Sequence, residues 1–426
     1  MRSVYALVLF VFVYLLYFAD MQLITLLVAP IEQVYGINDT RFGLLSAAPP
    51  VIAILLIGLP MATLVDRGNR RNLLAAAVLL WSTANMLCAF ANGYWMLFAL
   101  KVAVAIGGAW FYPTVVSLVS DLFAPKHRTL AFTFLQLCGT SGVGLAVMLS
   151  GAAIALAHRL AGVSIPGVGL IAWWQWAFIL VSVPGPVGAA LLFTIPEPPR
   201  HRAGADQPVP RLLPFLRRHW GVCIAVMLGT AAGNVPVFAA RAWLPEYFVR
   251  AFAQTAVQAS SFAGLILTLG SALGIGAGGL LALWLRRRMG DNANPTVVIA
   301  SYVTPVMLLI VLPAMGAPVA AAVLLGVAFL LFNLHGGPVI DIIQGVVPNE
   351  IRGRFVTLVL MVGYLGAFLG PTMVGVLNDR FFQEASGIRK SLPLTLAIGC
   401  IVAAFCWSYR ARPMVALFRG ESHASN

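Results

Sequence analysis

Charge and cysteine are both scarce in this sequence. Only 10% of the 426 residues are charged, against about a quarter in a typical soluble domain, so a water-soluble protein is excluded. The five cysteines have no paired spacing and stand near no histidine cluster, which argues against a disulfide framework and against a metal site. A Gly-x-x-x-x-Gly-Lys-Ser/Thr loop is absent too, so the chain lacks that machinery for using ATP. We expect no cofactor.

Long runs of apolar residues make up most of the sequence. The chain is 60% hydrophobic, and its mean hydropathy is +0.92. A membrane-spanning helix needs about 20 apolar residues, and about twelve such runs fit here. Lipid offers no partner to open backbone groups, so the sequence predicts an all-α polytopic membrane protein. The predicted spans are 4–30, 42–65, 72–91, 94–119, 129–157, 168–194, 221–249, 258–286, 294–313, 317–346, 351–378 and 391–410.

The basic residues are distributed unevenly over the loops. Lys and Arg number 27 against 14 acidic residues, and most of them fall on the side of the membrane that holds both termini. The positive-inside rule therefore predicts that both termini are cytoplasmic. The expected location of this integral protein is the bacterial inner (plasma) membrane. Because topology accounts for the positive charge, we expect no nucleic-acid partner.

The longest polar insertion separates two groups of six spans. It predicts an N-terminal bundle at 1–194, a cytoplasmic linker at 195–220, and a C-terminal bundle with a cytoplasmic tail at 221–426. Weak sequence matches recur between the two groups at a nearly constant spacing, so the halves read as two copies of one six-helix unit. Such a repeat favours a transporter with its binding site between the halves.

A basic motif follows the second predicted span. The sequence ATLVDRGNRRNLL at 62–74 resembles the Gly-x-Leu-x-Asp-Arg-x-Gly-Arg-Arg loop signature of the major facilitator superfamily. The resemblance implies twelve transmembrane helices in two pseudo-symmetric six-helix bundles. It also implies a conformational latch that is formed by Asp66, Arg67, Arg70 and Arg71. Positive-inside topology alone explains the arginines but not the Asp-Arg order.

Further segments are similar to one branch of that superfamily. Phe18-Ala-Asp20, Pro30-Ile-Glu-Gln33 and Ser120-Asp-Leu-Phe123 resemble the spinster-like carriers and their bacterial relatives. Those carriers place an acid at the position of Asp20, and usually an arginine where this chain has Lys101. The resemblance implies transport by alternating access, with lysolipids or other amphipathic solutes as one class of substrate.

Two ionisable residues are predicted at a similar depth inside the membrane. Asp20 lies past the middle of the first span, and Lys101 lies early in the fourth span, which runs in the opposite direction. A charge inside a span costs at least ~2.5 kcal/mol, so each needs a partner or a water-filled cavity. We predict that Asp20 and Lys101 form the proton-coupling pair. A static buried ion pair that fixes helix register is the alternative.

Helix-breaking residues occur at corresponding places in the two halves. In the fourth span, Trp110 and Tyr112 come just before a proline, and in the tenth span, Asn333 and His335 come just before another. Interrupted helices in both halves point to a transport site, so we predict that these four residues bind substrate. Ordinary packing is the alternative for the aromatic residues, and a hydrogen-bonded core position is the alternative for the histidine.

Two further charges lie in the second half of the chain. Arg241 follows a Gly-Asn-Val-Pro sequence in the seventh span and is predicted to bind an anionic group of the substrate. Its alternative role is to reach the membrane surface beside Glu246. Asp341 lies nearer the cytoplasm, where we expect it to pair with Arg352, Arg354 or another loop arginine.

These residues favour a secondary active transporter that moves a small organic anion by proton-coupled alternating access. Its expected partners are a small-molecule solute, protons and membrane lipids. Export of a lysolipid or other amphipathic solute is the alternative, and a solute-sensing membrane receptor without flux is a third hypothesis. An enzyme is not expected, because the chain has no His-Glu-x-x-His motif and its intramembrane aspartates, Asp20 and Asp341, are predicted at different depths.

Overall fold

The computed structural model describes residues 2–165, 169–198, 212–384 and 386–409, and the described chain is almost entirely helical. Within those ranges, the side chains at positions 2, 58–67, 125, 126, 129, 349 and 350 are not described. The all-α prediction is confirmed.

The described helices are named α1 to α16 in chain order. They are α1 (Arg2–Gln22), α2 (Val28–Tyr35), α3 (Asp39–Arg67), α4 (Arg70–Leu87), α5 (Tyr94–Leu122), α6 (Pro125–Arg159), α7 (Trp173–Ser182), α8 (Pro184–Leu192), α9 (Leu212–Arg218), α10 (Trp220–Phe252), α11 (Ala256–Met289), α12 (Ala293–Val311), α13 (Pro318–Phe332), α14 (Gly336–Val346), α15 (Asn349–Arg380) and α16 (Ile388–Tyr409). Between α6 and α7, β1 (Ser164–Ile165) pairs antiparallel with β2 (Gly169–Leu170).

Eleven segments of the described chain are long and apolar enough to cross a membrane. One of them, Ala256–Ala314, contains both α11 and α12, which are joined by a 3₁₀ turn at Gly290–Asn292. Counting these two helices separately agrees with the twelve predicted crossings.

Three of the predicted spans are broken within their length. In the first, α1 ends at Gln22 and α2 begins at Val28, so that Pro30 falls in the first turn of α2, where a missing N–H costs little. In the sixth, Pro184 begins α8 directly after Val183. In the tenth, a single 3₁₀ turn at Asn333–His335 separates α13 from α14.

The fourth span does not contain the predicted interruption. Helix α5 runs without a break from Tyr94 to Leu122 and includes Pro113. The hydroxyl of Thr114 donates a hydrogen bond of 2.7 Å to the carbonyl oxygen of Trp110, beside the position where proline removes a donor. Side-chain hydroxyls commonly let a membrane helix continue through proline in this way. Of the two predicted breaks, only the one in the tenth span is present.

Packing divides the chain into two units. Unit 1 consists of Met1–Ala203 and Leu244–Thr268, and unit 2 consists of Gly204–Trp243 and Leu269–Asn426. The division cuts through α10 and α11, so the end of α10 and the start of α11 pack with the first part of the chain. The core of unit 1 contains Phe10, Trp81 and Phe111, and the largest buried side chains of unit 2 include Trp243, Tyr302 and Trp407.

The 3₁₀ turn in unit 2 depends on a glycine of α11. A Cβ atom added at Gly278 would lie 1.9 Å from the main-chain oxygen of Leu334, whereas one added at Gly276 would meet nothing within 4 Å. We expect Gly278→Ala to lower the free energy of unfolding by about 1–3 kcal/mol, because the backbone must move. Gly276→Ala should leave stability unchanged or raise it by up to ~1 kcal/mol through helix propensity. Thermal unfolding in detergent compares the two variants, and equal melting temperatures would contradict the expectation.

Candidate functional site

Asp20 is buried at the centre of a polar group inside unit 1. Its side chain is 0% exposed, and its Oδ1 atom accepts a hydrogen bond of 2.6 Å from Nδ2 of Asn85. The hydroxyl of Ser182 lies 3.4 Å from the same oxygen and also accepts a bond of 3.1 Å from Asn85. Helices α1, α4 and α7 therefore each contribute one side chain to the group.

Lys101 reaches Asp20 through the main chain. The Lys101 side chain is 2% exposed, and its Nζ atom donates a hydrogen bond of 3.1 Å to the main-chain oxygen of Asp20. The structure thus brings the two predicted residues together, on the packed helices α1 and α5. The lysine is bound to the carbonyl, while Asn85 and Ser182 bind the carboxyl group.

Two polar atoms of this group are buried and have no hydrogen-bond partner among the described residues. They are Oδ2 of Asp20 and Oδ1 of Asn85. Buried polar atoms are nearly always hydrogen-bonded, to protein or to an ordered water. A carboxyl oxygen in this situation is a suitable place for a proton, because a protonated carboxyl group can donate where a carboxylate can only accept.

An aromatic group of unit 1 lies directly beside Asp20 on α1. The ring of Tyr17 is 5.2 Å from the ring of Trp81, and the ring of Tyr14 is 5.1 Å from that of Phe111, measured between centroids. Tyr17 packs so closely on Gly108 that an added Cβ atom there would lie 2.0 Å from the phenol ring. These rings belong to the packed core of unit 1, in which Trp81 and Phe111 are fully buried.

The two predicted aromatic residues of α5 have different environments. Tyr112 is 39% exposed, and its hydroxyl donates a hydrogen bond of 3.0 Å to Oε1 of Gln136. Trp110 packs against the core of unit 1, and its Nε1 atom is buried with no hydrogen-bond partner in the described part of the chain. Both residues lie in unit 1 with Asp20.

Asn333 and His335 bond to their own helix in unit 2. Nδ2 of Asn333 donates a hydrogen bond of 2.7 Å to the main-chain oxygen of Phe329. Nδ1 of His335 lies 2.6 Å from the main-chain oxygen of Phe332. The imidazole also stacks on the ring of Tyr302, with centroids 4.9 Å apart. These side chains support the 3₁₀ turn, which matches the hydrogen-bonded alternative for His335.

Arg241 packs on an aromatic ring of its own helix. The guanidinium of Arg241 lies over the ring of Phe238, 5.2 Å from its centroid. Glu246, which the alternative role placed beside Arg241, forms an ion pair of 2.6 Å with Arg250, one helical turn further along α10.

Asp341 pairs with a different arginine from the two that were named. It accepts a hydrogen bond of 2.5 Å from Asn294 and lies 3.8 Å from Arg286 at the end of α11. Arg352 instead donates to the main-chain oxygens of Gln344 and Val347, near the end of α14. The general expectation of a loop arginine is met.

The predicted latch is centred on Arg70. This side chain is 2% exposed, forms a very short ion pair with Asp121, and lies 2.8 Å from Glu197. It also donates to the hydroxyl of Ser117 and to the main-chain oxygen of Pro198. Arg70 therefore ties the start of α4 to the end of α5 and to the segment after α8.

The remaining members of the latch contribute less to the described structure. The main-chain N–H of Arg71 donates to Glu197 at 2.9 Å, and its guanidinium lies 5.5 Å from the centroid of the Phe193 ring. Asp66 and Arg67 end α3, but their side chains lie outside the described residues.

Four residues of these sites were not identified from the sequence, namely Asn85, Ser182, Asp121 and Glu197. Asn85 and Ser182 are polar residues inside apolar runs, and this was the available signal for them. Glu197 is the acidic residue that follows the sixth span, in the same polar insertion as several arginines.

The sequence profile of the Major Facilitator Superfamily matches residues 10–371. This chain belongs to the major facilitator superfamily. Among individual major facilitator proteins, it is 25% identical over 402 residues to the sphingosine-1-phosphate transporter SPNS2 of Danio rerio, covering 86% of this chain and 75% of the relative. It is also 25% identical over 419 residues to an MFS-type efflux pump of Mycolicibacterium smegmatis, with 93% and 90% covered.

Solved major facilitator structures share the fold of this chain. A bacterial homologue of the human lysosomal transporter spinster, in an inward-facing and unoccupied conformation, aligns with a TM-score of 0.79 at 21% identity and covers 99% of this chain and 98% of that one. A D-xylose-proton symporter aligns with a TM-score of 0.68 at 16% identity, with 96% and 98% covered. The predicted family and its twelve-helix fold class are therefore confirmed.

Proposed function

We propose that this transporter moves a small organic anion together with protons, and that Asp20 carries the proton. The observation that supports the proposal is the fully buried Asp20 side chain, whose Oδ2 atom has no hydrogen-bond partner among the described residues. An intramembrane carboxyl group of this kind usually lines a transport pathway. In this proposal both termini are cytoplasmic, and the membrane is the inner membrane of a bacterium.

The surroundings of Asp20 support reversible binding of a proton. Asn85 and Ser182 bind Oδ1 and leave Oδ2 as the oxygen that gains or loses the proton. The ionised carboxylate is a charge in a low-dielectric site, and protonation removes that charge. The ionised form of Asp20 therefore favours a conformation in which water reaches Oδ2, and the protonated form favours one in which water is excluded. Alternating access requires a switch of this kind.

The cation near Asp20 supports an anionic substrate. The Lys101 ammonium is buried within the same group of side chains, and Trp110 and Tyr112 stand further along α5. A substrate carboxylate that approaches Lys101 gains a charge-assisted hydrogen bond in a place where water is scarce. The aromatic side chains of α1 and α5 supply apolar surface for the rest of the solute. Arg241 is the proposed second cation for the substrate.

We test this function by thermal unfolding of the purified protein with small carboxylates and with lysolipids. A ligand at 100 times its dissociation constant should stabilise the protein by ~2.7 kcal/mol. We expect a carboxylate to stabilise the wild type but not Lys101→Ala, while Arg71→Ala, which changes a cation away from Asp20, keeps the response. If lysolipids alone stabilise both proteins equally, the anion proposal is wrong.

Amphipathic solutes are the second candidate class, because one relative is named a sphingosine-1-phosphate transporter. The ring of Tyr112, which is 39% exposed, would supply aromatic surface for an alkyl chain. Flux into vesicles separates both transport proposals from a receptor, because a receptor binds solute without accumulating it.

A further inference from the structure

Four charged residues of unit 1 meet around the end of α10, and we name them the Arg250 cluster: Glu32, Asp39, Glu246 and Arg250. The Arg250 guanidinium uses a different nitrogen for each acid. Its Nη2, Nη1 and Nε atoms lie 3.0 Å from Glu32, 2.8 Å from Asp39 and 2.6 Å from Glu246. Glu32 belongs to α2, Asp39 begins α3, and the other two residues are one turn apart on α10.

The cluster contains more negative than positive charge, and its side chains range from buried to about one fifth exposed, with Glu32 at 19% and Arg250 at 21%. Asp39 is 7% exposed and Glu246 is 4% exposed, so neither carboxyl group is well solvated. Three ionised carboxylates around one guanidinium would leave an excess of two negative charges. Carboxyl groups this close together do not all ionise in the same pH range, so one proton bound among them relieves the repulsion.

Glu32 is the member of the cluster that is suited to hold this proton. Burial raises the pKa of Glu32 to about 9, and the neighbouring Asp39 and Glu246 act in the same direction, while Arg250 opposes them. Its Oε1 atom is buried and makes no hydrogen bond within the described chain. If Glu32 were transferred to water, its pKa would return toward 4.5.

The cluster joins two distant parts of the chain. Arg250 and Glu246 lie in Leu244–Thr268, which packs with Met1–Ala203 in unit 1. The six-plus-six division of the sequence, in contrast, assigns that segment to the second bundle. The remaining contacts of the segment include uncharged ones: Thr268 donates to the main-chain oxygen of Ser141 at 3.2 Å. The segment contains two charged residues, Glu246 and Arg250, and both belong to the cluster.

We propose that the Arg250 cluster is a proton-dependent catch, which holds Leu244–Thr268 against the first part of the chain while Glu32 is protonated. Loss of that proton leaves an additional negative charge in the cluster and weakens the packing. The catch is distinct from Asp20, because its side chains come from α2, α3 and the end of α10. It therefore adds a second proton-sensitive element to the transporter.

The direction of the pH effect follows from linkage between proton binding and packing. The packed segment binds the Glu32 proton more tightly than the released segment does, so acid favours packing and alkali favours release. Between about pH 5 and pH 9, each unit of rising pH makes release up to about tenfold more favourable.

Hydrogen–deuterium exchange of the full-length protein in lipid nanodiscs tests the catch. Exchange of residues 244–268 is measured from pH 6 to pH 9 and corrected for the intrinsic pH dependence of amide exchange, with α5 as the internal reference. We expect protection of the segment to fall by up to about tenfold per unit in the wild type and in Asp20→Asn. We expect Glu32→Gln, which imitates the protonated acid, to remain protected and insensitive to pH.

Glu384→Gln is the matched control, because it makes the same change at an exposed glutamate outside the cluster, and it should behave like the wild type. Constant protection of 244–268 in the wild type would overturn the proposal, and so would an unchanged dependence of protection on pH in Glu32→Gln.

If Glu32→Gln also loses the protection of α5, which would indicate misfolding, Asp39→Asn is used as the test variant in its place. Removing that neighbouring charge should move the loss of protection to lower pH, and an unchanged midpoint would overturn the proposal. If protection of 244–268 depends on pH in Asp20→Asn as it does in the wild type, the catch acts independently of the proposed coupling site.

Discussion

Replacing Asp20 by Asn is expected to abolish proton-driven accumulation of substrate while leaving exchange of substrate across the membrane. Asparagine keeps the shape of the side chain and can still bond to Asn85 and Ser182, but it cannot take up a proton at the position of Oδ2. One pH unit is worth 1.36 kcal/mol per proton, so the wild type should accumulate substrate up to about tenfold for each unit of gradient. The variant should reach a ratio near one.

The measurement uses proteoliposomes with an imposed pH gradient and a clamped membrane potential. Exchange of labelled for unlabelled substrate without a gradient serves as the second readout, since it needs binding and movement but no net proton transfer. Asp291→Asn is the control, because Asp291 is partly exposed in the turn after α11. Undiminished accumulation in Asp20→Asn would exclude Asp20 as the proton carrier. Loss of both accumulation and exchange would indicate a structural role.

Arg70→Ala is expected to be the most destabilising single substitution among the residues discussed. The guanidinium is 2% exposed, and its removal leaves the carboxylates of Asp121 and Glu197 without their shared cation. Breaking a buried ion pair by removing one partner typically costs 3–5 kcal/mol, so we expect a loss of about 3 kcal/mol here, since Glu197 is partly exposed.

Unfolding in detergent, followed by heat or by denaturant, measures this effect. Arg71→Ala is the neighbouring control, and it should cost less than about 1 kcal/mol, because the main-chain N–H of Arg71 still binds Glu197 after the substitution. A double variant with Asp121→Asn should recover part of the loss, because it removes one uncompensated charge. Equal stability of Arg70→Ala and Arg71→Ala would show that the ion pairs contribute little.

The architecture was predictable because a bilayer imposes one dominant constraint on the sequence. Apolar runs of about 20 residues and the distribution of basic residues suffice for the number and the type of the helices. The breaks within spans were harder to predict. Proline coincides with a helix start at Pro184, but Pro113 lies inside a continuous helix, where Thr114 bonds to a neighbouring carbonyl. Proline alone does not distinguish these outcomes.

The candidate site was predictable in depth but not in its contacts. Counting residues along two antiparallel helices brought Asp20 and Lys101 to one level, and the structure places them in contact. The counting could not show that Lys101 binds the main chain, because it contains no information on helix rotation. Asn85 and Ser182 were missed for the same reason: a single amide or hydroxyl in an apolar run has many ordinary explanations.

The Arg250 cluster was missed because its members lie far apart in the sequence. Arg250 and Asp39 are separated by 211 positions, and each residue on its own is a charge near the predicted end of a span. Only the packing of Leu244–Thr268 with the first part of the chain brings them together.

The bond between Lys101 and a main-chain oxygen bears on the order in which ligands bind. The oxygen belongs to the peptide backbone, so the ammonium stays in place whether the Asp20 carboxyl is charged or neutral. With the carboxylate ionised, the local charges of lysine and aspartate cancel, and with the proton bound, one positive charge remains. In the proposed mechanism, a negatively charged solute is therefore attracted most strongly after the proton has bound. Because such coupling is reciprocal, the proposed mechanism has the bound anion tighten binding of the proton at Asp20 by the same factor.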